Sequence, residues 1–260
     1  MLPNFLKPYH TNLSNLIRIG RKSDGGYIID KRVINKTNII ITCGLGAEWS
    51  FEKEFQKCNN NCKIIAFDHT VTKKFWIKRF LKDFLYLLLL RKIKINQILD
   101  VFKFFDYLIF FGNKNKHYLK KIDPKKKNKD KYISITEAIG NQKNVLLKID
   151  IEGDEYNVLS EVNKNSEKLN LAIIEFHNLQ KNFKKIKSFI KKTKLKNIHI
   201  SANNYDAVDN KGVPQTIEMT LINPKKFKIK NIKVKRNYPI EGLDFKNWKR
   251  GPEIKITFDK

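Results

Sequence analysis

Short runs of aliphatic and β-branched residues recur along this chain. Several end on a glycine, a carboxylate or a histidine. Asn38 to Cys43 (Asn-Ile-Ile-Ile-Thr-Cys) is continuous and apolar, the pattern of a parallel strand buried on both faces. It runs into Gly44-Leu45-Gly46, and residues 48–55 then have helical spacing, so the segment opens a βαβ unit. Lys63 to Phe67 predicts a second strand closed by Asp68, and Asn144 to Ile149 another closed by Asp150. Leu169 to Phe176 leads into His177-Asn178, and residues 197–201 and 216–222 read as two final, adjoining strands. Strands alternating with helices imply a doubly wound sheet, whose ligand sits at the carboxyl ends of its strands.

The residues just beyond the strands are therefore the informative ones. Gly44-x-Gly46 admits a ligand close to the backbone, because no Cβ intervenes. Asp68, about 20 residues on, is placed to accept from ribose hydroxyls, as dinucleotide-type folds require. No third glycine and no P-loop Lys-Ser/Thr follow, so the cofactor expected is a nucleoside without a pyrophosphate, a condition met by S-adenosylmethionine. Period two places Lys148, Asp150 and Glu152 on one face if the strand extends that far, and likewise Glu175 and His177. Buried carboxylates cost several kcal/mol unless paired, so an acidic strand end calls for a reason. His177 is the candidate general base, with Asp150 and Glu152 as catalytic partners. Asp150, Glu175 and His177 are the candidate ligands of a divalent cation, and His199 with Asn203-Asn204 would complete a polar pocket.

Leu147-Lys-Ile-Asp-Ile-Glu-Gly-Asp-Glu155 closely resembles the K-I-D-[IV]-E-G-x-E signature of FkbM-type methyltransferases. Asp24-Gly-Gly-Tyr27, Cys43-Gly-Leu-Gly46 with Phe51-Glu52, Ile174-Glu-Phe-His177 and the stretch from Asn203-Asn204 to Glu218 follow in that family's order. The resemblance spans roughly residues 18–70 and 132–223. It implies a Rossmann-like class I methyltransferase: a doubly wound, mostly parallel sheet with a final antiparallel strand. It also implies S-adenosylmethionine at Cys43, Gly44, Gly46 and Asp68, and O-methylation of a sugar, glycan or related small-molecule hydroxyl. Asp150 matches the place where cation-dependent O-methyltransferases of related fold hold a metal ligand.

The chain has 260 residues and a formal charge of +27, which invites a nucleic-acid or membrane partner. The charge is segmental. Residues 71–131, 181–196 and 224–260 carry net charges of +13, +8 and +8, leaving −2 for everything else. The basic residues are 46 Lys and only 7 Arg, alongside 34 Ile and 28 Asn, a set that A/T-rich codons favour. Phosphate and base recognition favours Arg. Base methyltransferases commonly carry an Asn/Asp-Pro-Pro-aromatic motif where this chain has Asp150-Ile-Glu-Gly, so a nucleic-acid methyltransferase is the lesser expectation. A non-catalytic membrane-surface protein that retains the fold is the other alternative.

Residues 1–38 read as an entry segment, 39–223 as the catalytic domain and 224–260 as a basic extension with an edge hairpin. A basic, aromatic insertion at about 71–131 is expected to hold helices near 73–91 and 95–110. It could pack on the sheet as an ordinary helical insertion, lie on an anionic membrane, form a lid over the acceptor site or make a dimer contact. No signal-peptide pattern opens the chain, and the longest apolar run, Phe84 to Leu90, is far short of the ~20 residues that span a bilayer. The expected location is the cytoplasm, with contact at the inner face of the membrane. Cys58 and Cys62 lack a second ligand pair, so no zinc site is expected.

Overall fold

The computed structural model describes residues 1–89, 102–206, 208–210 and 212–259; the side chains of residues 86 and 87 are also outside the description. Among the described residues seven strands form the central sheet: β3 (Ile39–Cys43), β4 (Lys63–Phe67), β5 (Lys116–Tyr118), β8 (Val145–Ile149), β9 (Leu169–Phe176), β10 (Lys196–Ala202) and β11 (Ile217–Ile222). Their spatial order is β10-β11-β9-β8-β3-β4-β5. β11 runs antiparallel to both of its neighbours, and the other pairs are parallel. This is the class I methyltransferase order, reversing direction on either side of β3 and closing with one inverted strand. A hairpin of β1 (Leu16–Gly20) and β2 (Gly26–Asp30) packs on helix α1 (Ser50–Cys58), and a small pair, β6 (Lys121–Ile122) and β7 (Tyr132–Ile133), lies beyond β5.

Alternation along the strands builds two cores. Ile39, Ile41, Cys43, Leu147, Ile149, Ala172 and Ile174 face α5 (Glu155–Lys164) and α6 (Leu179–Lys192), where Val158, Ile186 and Phe189 meet them. Ile40, Leu146 and Ile173 face the opposite side, against Phe51 and Phe55 of α1 and Tyr27 and Ile29 of β2. Between β7 and β8, α4 (Ile135–Ile139) begins at a capping box, in which Ser134 and Glu137 satisfy each other's backbone N–H.

The insertion contributes α2 (Lys73–Leu89) and α3 (Lys103–Gly112). The first part of the helix expected at 95–110 lies outside the described residues; the described part begins at Lys103. Trp76 anchors α2, with ring centroids 4.9 Å from Tyr107 and 5.9 Å from Trp49. Residues 224–259 form no strand of two or more residues. They bridge singly instead, Leu2 to Phe258 and Tyr238 to Ile256, and so tie both ends of the chain together rather than extending the sheet with a hairpin.

Candidate active site

Parity and register assemble the site. Thr42 of β3 pairs with Lys148 of β8, and Glu175 of β9 with Glu218 of β11, while Asp150 and Glu175 come one residue after the registered pair Ile149–Ile174. A polar row thus crosses the carboxyl end of the sheet on the face of α1 and β2. Lys148 does not pair with Asp150 or Glu152 as its ion partner. It reaches Glu52 of α1 at 3.2 Å, with Glu52 accepting from the Thr42 hydroxyl at 2.7 Å, and its ammonium lies 5.1 Å from the Tyr27 ring centroid. Burial alone would lower the Lys148 pKa, but the carboxylates of Glu52 and Asp150 outweigh it and raise the value.

Asp150, Glu175 and His177 do come together: one donor atom from each lies within 4.8 Å of the others. Burial is the main force raising the Asp150 carboxyl to about 7, against the pull of Lys148 and His177. Glu175 is also raised, by burial and by the Asp150 charge, although Asn203 donates to it at 2.8 Å. Two buried carboxylates this close cannot both ionise cheaply, so the pair holds a proton near neutral pH.

His177 is oriented by a residue that was not singled out in the sequence. Glu155, fully buried at the start of α5, accepts from Nδ1 at 2.7 Å and also receives the Gly153 N–H. A carboxylate only accepts, so Nδ1 carries the proton and Nε2 is left facing Glu175 at 3.6 Å. Burial would lower the His177 pKa, but the Glu155 hydrogen bond and the surrounding carboxylates raise it above its ordinary value. Glu155 belongs to the Lys-Ile-Asp-Ile-Glu-Gly-Asp-Glu block, so the signal was present without the role. Glu218 is a second such acid, held by Asn247 at 2.9 Å and Ser201 at 3.1 Å.

Four expectations are corrected. β8 ends at Ile149, and Glu152 turns at φ 54°, so its side chain does not continue the strand face; it is 86% exposed and meets His177 Nε2 from outside at 3.5 Å. Cys43 does not reach the cleft with its side chain, because strand alternation points the thiol into the core, where burial pushes its pKa up; only its carbonyl takes part, accepting from Asp150 N–H at 2.8 Å. His199 lies away from the cluster, paired with Asp244 of the tail at 3.1 Å. Asn204 clamps the tail through the carbonyls of Trp248 and Pro252, so of the two asparagines only Asn203 serves the site.

Two cavities meet here. A cleft of about 460 Å³ is lined by the glycine turn, Asp24, Tyr27, Asp68, Lys148 and Asp150. Its size lies in the usual range for small-molecule sites, about 300–1,000 Å³. Gly44 sits at φ 83°, where an added Cβ would fall 1.6 Å from the Asp150 carbonyl oxygen. At Gly46, with φ 56°, the space a Cβ would occupy is open toward the cleft. Asp68 braces this turn: Oδ2 accepts from the N–H groups of Leu45 and Gly46 at 2.9 and 2.8 Å, and Oδ1 from the N–H and hydroxyl of Thr70. Beside the cleft, a hollow of about 320 Å³ is lined by Glu152, His177, Asn178, Asp206 and Gln215, all hydrogen-bonding side chains. Glu152 borders both spaces. Glu152 and Asn178, at the rim, are two non-glycine residues with positive φ, a strain that accumulates at functional sites.

Residues 91–205 match the family described as the methyltransferase FkbM domain. The match begins inside the basic insertion and ends just after Asn203-Asn204, so the Asp24 and Gly44 motifs lie outside it. No curated protein matches the sequence. Solved structures with a similar chain course include the fibrillarin pre-rRNA processing protein of Methanococcus jannaschii, at 10% identity, covering 73% of this chain and 67% of that one with a TM-score of 0.37. Precorrin-6y C5,15-methyltransferase of Geobacter metallireducens is 10% identical over 74% of this chain and 85% of its own, TM-score 0.34. M. jannaschii TYW2 in complex with AdoMet is 8% identical over 86% and 89%, TM-score 0.36.

Proposed function

From a methyltransferase FkbM domain carried on a class I methyltransferase sheet, we infer that this chain methylates a hydroxyl of a sugar, glycan or related small molecule, with S-adenosylmethionine as donor. The observation that carries the hydroxyl assignment is His177, anchored by Glu155 at 2.7 Å, lining a hollow of hydrogen-bonding side chains next to the glycine-turn cleft. When bound, S-adenosylmethionine supplies a methyl group on a sulfonium leaving group. The chain's own task is then to align the acceptor and remove its proton. Gly44 and Gly46 open the cleft to the cofactor, and Asp24, Asp68 and Tyr27 line it. Asn178, Asp206 and Gln215 would orient a polyhydroxylated acceptor, and alignment alone can lower a barrier by ~7–11 kcal/mol. Nε2 of His177 would take the hydroxyl proton, with the Asp150–Glu175 pair as its neighbouring proton store.

The same three side chains also form an O,O,N donor set, and the Glu155-bound Nδ1 leaves Nε2 in the form a cation requires. A divalent cation at this cluster would acidify the acceptor hydroxyl directly. Calorimetric titration of Mn²⁺ into wild type and Glu175→Gln distinguishes the readings; binding lost in the variant favours the cation.

The principal test uses His177→Ala and Asp150→Asn with a panel of glycosides and sugar nucleotides as acceptors. Methyl transfer should fall by about 10²-fold or more in each, with cofactor affinity kept within a few-fold. Unchanged transfer in both variants would remove these roles. The nucleic-acid alternative draws on the +27 charge, whereas the hollow itself is rimmed by Glu152 and Asp206. Methylation of total RNA in preference to the glycan panel, with a steep salt dependence, would restore it.

A further inference from the structure

Helix α2 carries its apolar stripe on the wrong side for a helix packed on a sheet. Phe75 and Trp76 face inward, together with Arg79 and Asp83, an ion pair at 3.2 Å. Outward face Ile77, Phe80, Leu81, Phe84, Leu85 and Leu88, each between 39% and 65% exposed. Their spacing of three and four residues makes one continuous band along the helix. Lys74, Lys78 and Lys82, four residues apart and all exposed, form a row along its edge. On α3, Phe105 and Ile109 are also exposed, at 53% and 75%. Single exposed hydrophobics need no explanation, but a band of this length does.

We propose that the outward face of α2 docks on an anionic lipid surface, lying in the plane of the headgroups. Three observations select this occupant. First, an apolar band edged by a lysine row is the pattern of an interfacial helix, with the stems beside the acyl boundary and the ammonium groups among phosphates. Second, no helix among the described residues is long and apolar enough to cross a membrane, and the inward ion pair makes α2 two-sided, so it lies on a bilayer rather than through it. Third, a second copy docked on the same face would bring lysine rows together with no opposing acid among the described residues of α2 and α3. Asp83 is turned inward, and Asp106 of α3 is held by Lys53 and Trp49. The helix starts three residues after Thr70, which lines the cofactor cleft, so docking would hold the cleft close to the membrane surface. The inference is independent of the methyl-transfer reading.

The test is co-sedimentation of the full chain with vesicles of phosphatidylcholine alone and of phosphatidylcholine with phosphatidylglycerol, at two salt concentrations. The parent should bind the anionic vesicles at least tenfold better, and less at high salt. The quadruple variant Ile77→Ser/Leu81→Ser/Leu85→Ser/Leu88→Ser and the triple variant Lys74→Glu/Lys78→Glu/Lys82→Glu should each lose about tenfold or more of that binding. Both change exposed positions, so an unchanged thermal midpoint verifies folding, and the lysine variant tests the proposal if the serine variant aggregates. Equal binding to neutral vesicles, or variants that bind like the parent, would overturn it. So would a parent that ignores vesicles and elutes as a dimer which the serine variant dissolves.

Discussion

At the residue scale the site stores unfavourable ionisation energy. Asp150, Glu175 and Glu218 all have folded pKa values above their unfolded ones, with Asp150 near 7. A carboxyl raised in this way contributes its full stability below its unfolded value and loses it as pH rises through the folded value. His177, also raised, contributes in the same direction, its share fading as pH rises above about 6.5. In chelator-treated protein, Asp150→Asn should therefore be more stable than wild type at pH 8, by on the order of 2 kcal/mol, and lose that advantage at pH 4. Urea denaturation at the two pH values measures both. Glu155→Gln removes the charge that holds Nδ1–H, so the His177 pKa read by NMR should fall, and the acid limb of the methyl-transfer profile should move to lower pH with it. Gly44→Ala would strain a left-handed residue and press a methyl group on the Asp150 carbonyl. A loss of at least about 2 kcal/mol is expected in denaturant titration.

Between elements, the Lys148–Glu52 pair joins β8 to α1 in a region where both side chains are almost completely buried. Glu52→Ala leaves an uncompensated ammonium, which costs about 3–5 kcal/mol. The double replacement Glu52→Leu/Lys148→Met should recover most of that loss, because it removes both charges together. Equal damage from single and double variants in guanidinium denaturation would show that the pair's value lies elsewhere. Glu52 and Phe51 are adjacent in α1, and the sequence marks both, but the ion partner of Lys148 depends on how α1 crosses the sheet. The same dependence explains Glu152. Period two carries it onto the face of Asp150 only if β8 continues, and the strand stops at Ile149, ahead of the left-handed turn at Glu152.

Across the whole molecule, the two ends of the chain close on each other. Leu2 N–H donates to Thr257 at 2.7 Å, Asp259 N–H donates back to Leu2 at 2.9 Å, and Asn204 at the rim of the site holds Trp248 and Pro252. Removing residues 252–260 should lower the thermal midpoint by about 5 °C or more and expose the otherwise buried Leu2 and Tyr238. Unchanged stability on truncation would mean that these bridges do not matter to the fold. The charge also resolves at this scale: the basic excess belongs to the insertion, α6 and the tail, and the strand ends are acidic.

By itself the sequence determined the strand-and-turn grammar. Uninterrupted β-branched runs, the Gly44-x-Gly46 turn and the Lys148-to-Glu155 block are local patterns, because burial on both faces, close backbone approach and a sharp strand exit each constrain neighbouring residues. They were sufficient for the sheet, the family resemblance and the grouping of Asp150, Glu175 and His177. Tertiary structure alone decided which of several acids serve the site. Register and helix crossing brought Glu52 to Lys148, Glu155 to His177 and Glu218 beside Glu175, and turned Glu152, Cys43 and His199 to other surroundings. Those outcomes depend on contacts between residues distant in the chain, and no local periodicity encodes them.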